Sequence, residues 1–196
     1  MRVADLSPGS VEPLLRGRLG HPYRFAPECA STQRLIEDAD PEGTTVAADL
    51  QTHGRGRLGR RWEAPRGRAL LFSVLLHPTP PMALWPELSL VAGDAVAAAL
   101  REEVGVAAEL SHPNDVLIGG RKVAGILPEA SVGRVVLGIG VNVNQTADEL
   151  PAETPKPPTS LRIETALERM RAPLLAAILL ELERGYDAWQ RLHTTR

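Results

Sequence analysis

The chain has 196 residues, 43% hydrophobic and 23% charged, ordinary values for a soluble globular protein, and a formal net charge of −2 that gives no general pull toward nucleic acid or an anionic membrane. Cys29 is the only cysteine, which excludes an intramolecular disulfide, fits a reducing compartment, and has neither a base nor a second thiol beside it to suggest reactivity. Neither a signal peptide in Met1–Leu15 nor a run near the roughly 18 apolar residues of a membrane span is evident, so cytoplasm is the expected location.

The length suggests one domain, 1–196, with an N-terminal extension over 1–28 and a core over 29–193. The extension is punctuated by Pro and Gly and reads as loop plus a short helix. A helix is expected over 31–39, capped by Ser31 or Thr32 and stopped at Asp40-Pro41. Thr44–Asp49 reads as a short strand. Residues 51–68, with four glycines and six arginines, form a loop. The continuous apolar run Ala69–Leu76 predicts a buried strand, and Leu84–Glu103 a long helix ended by Gly105. Four strands follow, at 107–110, 116–118, 122–127 and 134–144, with a two-residue turn at Gly119-Gly120 and another at 131–133. Residues 145–158 are acidic and Pro-rich and read as a second long mobile loop; a closing helix spans 171–192. The order predicts an α+β fold with a mixed sheet packed on helices.

Four segments carry chemistry. In Gln51–Trp62 the glycines let the backbone close on a ligand, the interleaved Arg55, Arg57 and Arg60 offer bidentate donors to phosphate, and Trp62 can stack on a ring. A solvated basic loop and a nucleic-acid contact are the alternatives, the latter weakened by a single aromatic and the absence of net positive charge. No Walker A sequence occurs. Pro113-Asn114-Asp115 places an amide and a carboxylate at a turn, where Asp115 could hold Mg²⁺ or accept a proton and Asn114 could orient phosphate; a plain turn cap is the bland reading. Lys122 is one of only two lysines, with Lys156, among 22 basic residues, and sits beside the small Ala124 and Gly125. A lysine kept among arginines suggests chemistry that needs a compact ammonium point charge, and its small neighbours let a ligand approach the sheet closely, against the alternative of an exposed strand charge. Gly138-Ile-Gly140-Val-Asn142 lacks the third glycine and following helix of a dinucleotide fingerprint; its paired glycines suggest close approach of a ligand instead. The five histidines are scattered without metal-ligand spacing.

Taken in order, these segments resemble the biotin–protein ligase catalytic domain, from about Ser31 to Leu192. Ser31-Thr32-Gln33, Gln51 with the Gly54–Arg60 loop, Pro113-Asn114-Asp115, Arg121–Leu127 and Gly138–Asn142 each match a family motif. The resemblance implies the biotin–lipoate ligase fold, related to class II aminoacyl-tRNA synthetases. It also implies ATP, biotin and Mg²⁺ as cofactors, and a biotin carboxyl carrier protein, as in acetyl-CoA carboxylase, as partner. By the same resemblance Ser31, Thr32, Gln33, Gln51, Gly54, Arg55, Lys122 and Gly125 hold biotin. Arg55, Arg57, Arg60, Trp62, Asn114 and Asn142 hold ATP. Lys122, Arg57 and Asp115 are the catalytic group, with Asp115 as base for the incoming lysine or as Mg²⁺ ligand. A lipoate-type ligase on the same fold is the neighbouring alternative, against which the Gly-Arg-rich loop favours biotin; a biotin- and ATP-binding relative with weakened turnover is another.

The chain departs from the pattern in three places. Ser111-His112 stand where Lys-Trp is usual, removing a cation and an aromatic wall. Pro128 follows Leu127 where an aliphatic residue is usual, so the strand should be an edge or a bulge there. Neither a helix-turn-helix nor a C-terminal β-barrel is expected within the sequence, so operator DNA is not an expected partner. A homodimer is left open.

Overall fold

The computed structural model describes residues 5–152 and 154–194. Strands β1 (Tyr23–Ala26), β2 (Thr45–Ala48), β3 (Ala69–Leu76), β4 (Ala108–Ser111), β5 (Asp115–Ile118), β6 (Arg121–Ser131) and β7 (Arg134–Asn142) form one sheet in the order β1-β2-β3-β7-β6-β5-β4. Only β1 and β2 are parallel; every other neighbouring pair is antiparallel, as hairpin-linked strands dictate. The helices are α1 (Pro8–Val11), α2 (Leu88–Val104), α3 (Leu161–Thr165) and α4 (Arg171–Thr194).

The sheet is two-faced. Leu70, Phe72, Val74 and Leu76 of β3, with Val135, Leu137, Ile139 and Val141 of β7, join the main core with α2 and α4. The intervening residues face the other way, where Leu75 and Val136 meet Val46 and Ile36 in a small second cluster. β3 is therefore buried along its whole length, which is why its sequence is a continuous apolar run without alternation. Segment 82–104 is long and apolar enough to pass for a membrane span, contrary to the expectation that no run comes near one. Within it α2 packs on α4 and on strands β4 to β6, as a core helix.

The strand expectations hold to within a few residues; Gly119 and Gly120 both take positive φ in the β5–β6 turn, and Gly105 ends α2 left-handed. The expectations for 31–39 and for 1–28 fail. The helix over 31–39 is only a 3₁₀ turn, Thr32–Leu35, because its polar side chains are committed to the sheet beneath them and so work against a longer helix. The 1–28 extension is integral to the core: Leu6, Val11 and Leu19 are fully buried and Tyr23–Ala26 is a strand. Its Pro and Gly punctuation obscured a four-residue strand rich in β-formers.

Beside the extension, the Arg171 guanidinium, almost wholly buried, meets Asp5, Asp49 (2.7 Å) and the Ala69 carbonyl (3.0 Å). Removing one partner of a buried ion cluster leaves charge without compensation. Arg171→Ala should lower stability by about 3 kcal/mol or more, read as a fall in denaturation midpoint.

Candidate active site

The face of the sheet away from α2 and α4 is built to be flat. Gly125 of β6 and Gly140 of β7 are register partners, and the Trp62 indole lies directly on them. A Cβ at Gly140 would sit 2.6 Å from the indole and one at Gly125 2.9 Å from it. Two residues along, a Cβ at Gly138 would strike the Gln33 side chain at 2.8 Å. These glycines are needed because something else occupies the Cβ volume. Around this floor opens a cleft of about 750 Å³, within the range of small-molecule sites.

The end over β3 is polar and neutral. Ser31, Thr32 and Gln33 are buried there. Thr32 donates its N–H (2.7 Å) and hydroxyl (3.0 Å) to Gln51 Oε1, and its hydroxyl also meets Ser73 (2.7 Å). Gln33 Nε2 donates to the Leu127 carbonyl (3.1 Å). A parallel bridge to Cys29 fixes the backbone of Gln51. Burial, and secondarily Glu28, push the Cys29 thiol up, so it is not an activated nucleophile.

The other end is charged. Lys122 Nζ lies 2.6 Å from Asp115 Oδ1 and 5.6 Å from the Trp62 ring centroid. Strict alternation along β6 would put Lys122 on the same face as Ala124, in the core. A β-bulge prevents this: Val116 pairs with Ala124 but Leu117 pairs with Lys122, so Val123 is the extra residue and Lys122 turns into the cleft. Asn114 clamps β6 at Ile126 through its amide N–H₂ (2.8 Å) and its backbone carbonyl (2.9 Å), and its Oδ1 accepts from Arg57 Nη1 (3.1 Å). Arg57 begins the turn at the loop tip, where Leu58 is left-handed (φ 58°) and 87% exposed.

Lys156 completes the charged end. It comes from the Pro-rich 145–158 segment, and its Nζ meets Asp115 Oδ2 (2.8 Å) and Ser111 Oγ (3.0 Å). The segment is pinned rather than free: the Lys122 N–H donates to the Pro157 carbonyl and the Thr159 N–H to the Lys122 carbonyl, both at 2.8 Å. It thus takes the place beside β6 that β7 gives up beyond its pairing with Ala124. Burial would raise the Asp115 carboxyl, but hydrogen bonds from both lysines outweigh it and hold it below the usual carboxylate range.

All the residues expected at the site line this cleft except Gly54, which lies behind the loop. There its carbonyl accepts from the Trp62 N–H (3.0 Å), and a Cβ would strike the Trp62 carbonyl. An ammonium lies against each Asp115 oxygen, and its depressed pKa weakens it as a proton acceptor. No group of three potential metal ligands exists among the described residues. Asn142 has both ends of its amide engaged, by the Thr159 carbonyl (3.0 Å) and Gln145 Nε2 (2.8 Å), so it fastens the 145–160 segment to β7. Arg55 is tied to Glu129 (2.6 Å), anchoring the loop to β6. Trp62 lies on the glycine floor between the neutral and charged ends, with its Nε1 buried and unpartnered. Lys156 was not foreseen; its only signal was the rarity of lysine.

The model of the biotin/lipoate A/B protein ligase family matches residues 27–145, more than half of the chain. The chain belongs to this family. It is 39% identical over 166 residues to the bifunctional ligase/repressor BirA of Bacillus spizizenii, covering 80% of this chain and 51% of that protein. It is 37% identical to the biotin–[acetyl-CoA-carboxylase] ligase of Mycobacterium tuberculosis, covering 80% of this chain and 59% of that one. The chain thus spans about half the length of the curated relatives it matches. Among solved structures, the Aquifex aeolicus biotin protein ligase in complex with biotin and ATP superposes with a TM-score of 0.78 at 37% identity, covering 86% of this chain and 72% of that one. The biotin–lipoate ligase fold inferred from the sequence is the observed one.

The depressed Asp115 pKa has a signed consequence. Its stabilisation is present above the unfolded-state carboxylate pKa and is lost as pH falls through the lower folded value. Stability measured from neutral pH down to about pH 2 should therefore fall less steeply in Asp115→Asn than in the parent chain. Parallel curves would show that the two lysines do not hold this carboxylate ionised.

Proposed function

We propose that this chain activates biotin with ATP and passes it to a lysine of a biotin carboxyl carrier protein. The observation that carries the reading is the division of one glycine-floored cleft into a buried neutral amide-and-hydroxyl end and a cationic end, with Trp62 between them. A neutral ureido ring can exchange hydrogen bonds with Ser31, Thr32 and Gln51 without placing charge in a buried pocket. The tail then runs along Trp62, which covers Gly125 and Gly140, toward Lys122.

At Lys122 the carboxylate oxygen attacks the α-phosphorus. The bond to the bridging oxygen of the β-phosphate breaks, and pyrophosphate leaves. Both reactants are anions, so the barrier depends on fixed positive charge around the transferring group. Lys122 and Arg57 supply it, oriented by Asp115 and Asn114, with Arg60 at the loop edge. The carrier amine then attacks the acyl carbon and AMP leaves. Asp115 serves this chemistry by positioning the lysines. The described residues offer no carboxylate cluster for Mg²⁺. The Arg57 loop overhangs the cleft and keeps water from the mixed anhydride. An ATP-rich, reducing cytoplasm suits this activity.

The test is exchange of labelled pyrophosphate into ATP, with biotin, with lipoate and with neither acid. Biotin-dependent exchange is expected; exchange with lipoate alone would keep the fold and overturn the substrate. Arg57→Ala should lower the exchange rate by about 100-fold, the scale of removing one charge-stabilising donor, and should release activated biotin to added amines. Full retention of the adenylate in that variant would rule out Arg57 as the residue that holds it.

A further inference from the structure

We propose that Lys156 is a ligand of the nucleotide's polyphosphate, delivered to the cleft by the 145–160 segment. The assignment of the anion to ATP rests on the biotin-activation reading; the assignment of Lys156 as an anion ligand rests on geometry alone.

Both lysines of the chain converge on one carboxylate, Lys122 on Asp115 Oδ1 at 2.6 Å and Lys156 on Oδ2 at 2.8 Å. Among the described residues no second carboxylate pairs with either ammonium, so the two lysines carry one unit of positive charge more than Asp115 balances. Beside them Arg57 meets the neutral Asn114 amide, with no carboxylate within ion-pair distance among the described residues. Cations crowded in this way repel one another, and a bound polyanion relieves the repulsion.

The frame that holds Lys156 is stiff. Pro155, Pro157 and Pro158 fix φ around it, and the Lys122 backbone clamps Pro157 and Thr159. The Lys156 backbone is thereby set at a constant distance from that of Lys122, while its side chain, about one-third exposed, keeps access to the cleft. Its remaining partner, the Ser111 hydroxyl, is neutral and can be exchanged for a phosphate oxygen at little cost. A structural salt bridge would be expected to close the charge balance; this one leaves it open toward the pocket.

The experiment is calorimetric binding of ATP and, separately, of biotin to the full chain and to Lys156→Gln, Lys156→Arg and the double variant Lys156→Gln/Ser111→Lys. Because Lys156 Nζ lies 3.0 Å from Ser111 Oγ, a lysine at 111 starts beside the vacated site and its flexible stem can carry an ammonium to the same end of the cleft. Lys156→Gln should weaken ATP by about tenfold, as expected for loss of one charge-assisted contact, and leave biotin within about twofold. The dependence of ATP affinity on ionic strength should become shallower. Lys156→Arg and the double variant should regain most of the affinity, which a merely structural role would not produce. Unchanged ATP affinity in Lys156→Gln, an equal loss for biotin and ATP, or no ATP binding by the parent chain would each overturn the proposal. If ATP affinity follows Lys156 while biotin supports no pyrophosphate exchange, the ligand assignment stands and the biotin reading falls.

Discussion

A β-strand shows successive side chains to opposite faces, so a sheet that packs against helices and also receives a ligand must write two patterns into each strand. Here β7 reads Val135, Leu137, Ile139 and Val141 toward the core, and Val136, Gly138, Gly140 and Asn142 toward the cleft. The same division puts Val116 in the core and Asp115 in the cleft. On β6 the pattern breaks, and the Val123 bulge repairs it by bringing Lys122 to the side where Gly125 already lies. Were Val123 paired in regular register instead of bulged, Lys122 would face the core with Ala124, and the site would lack its central cation.

The rest of the cleft is arranged around how charge is distributed along that face. Its buried end contains only groups that can trade one neutral hydrogen bond for another, so binding there strands no charge. At its open end Lys122 and Lys156 meet the Asp115 carboxylate and Arg57 meets the Asn114 amide. Asp115 lowers the repulsion between two lysines, yet leaves the cluster of described groups cationic. Asn114 does the corresponding work for Arg57 while locking β5 to β6, so loop position and sheet register are set by one side chain.

Most of the fold and much of the cleft were legible in the sequence, for identifiable reasons. Ala69–Leu76 could be placed to the residue because a strand covered on both faces is a continuous apolar run. Gly119-Gly120 marked its turn because both positions need positive φ. Gly138 and Gly140 were recognised as close-approach positions, though what approaches them is largely protein, Gln33 and Trp62. Features set by distant partners were not legible. Nothing local distinguishes a helix over 31–39 from a 3₁₀ turn held down by Gln51 and Ser73. The docking of 157–159 on Lys122 joins segments about 35 residues apart through backbone groups, which have no sequence signature. Lys156 was hidden for the same reason, since only that docking brings it to Asp115.

Pro128 stood out in the sequence as a strand residue that cannot donate to a ladder, and its position gives it a consequence for solubility. β5 pairs with β6 only as far as Gly125, and the Asn114 clamp ends at Ile126. From there to Ser131, β6 pairs only with β7, leaving an exposed rim among the described strands. Backbone groups two residues apart point the same way, so the N–H that Pro128 lacks is the one that would have faced outward next after that of Ile126. A foreign strand trying to extend the sheet finds the first rung of its ladder missing, with the Arg55–Glu129 pair standing beside the gap. The rim beside the ligand loop is thereby kept from recruiting other chains and seeding aggregation.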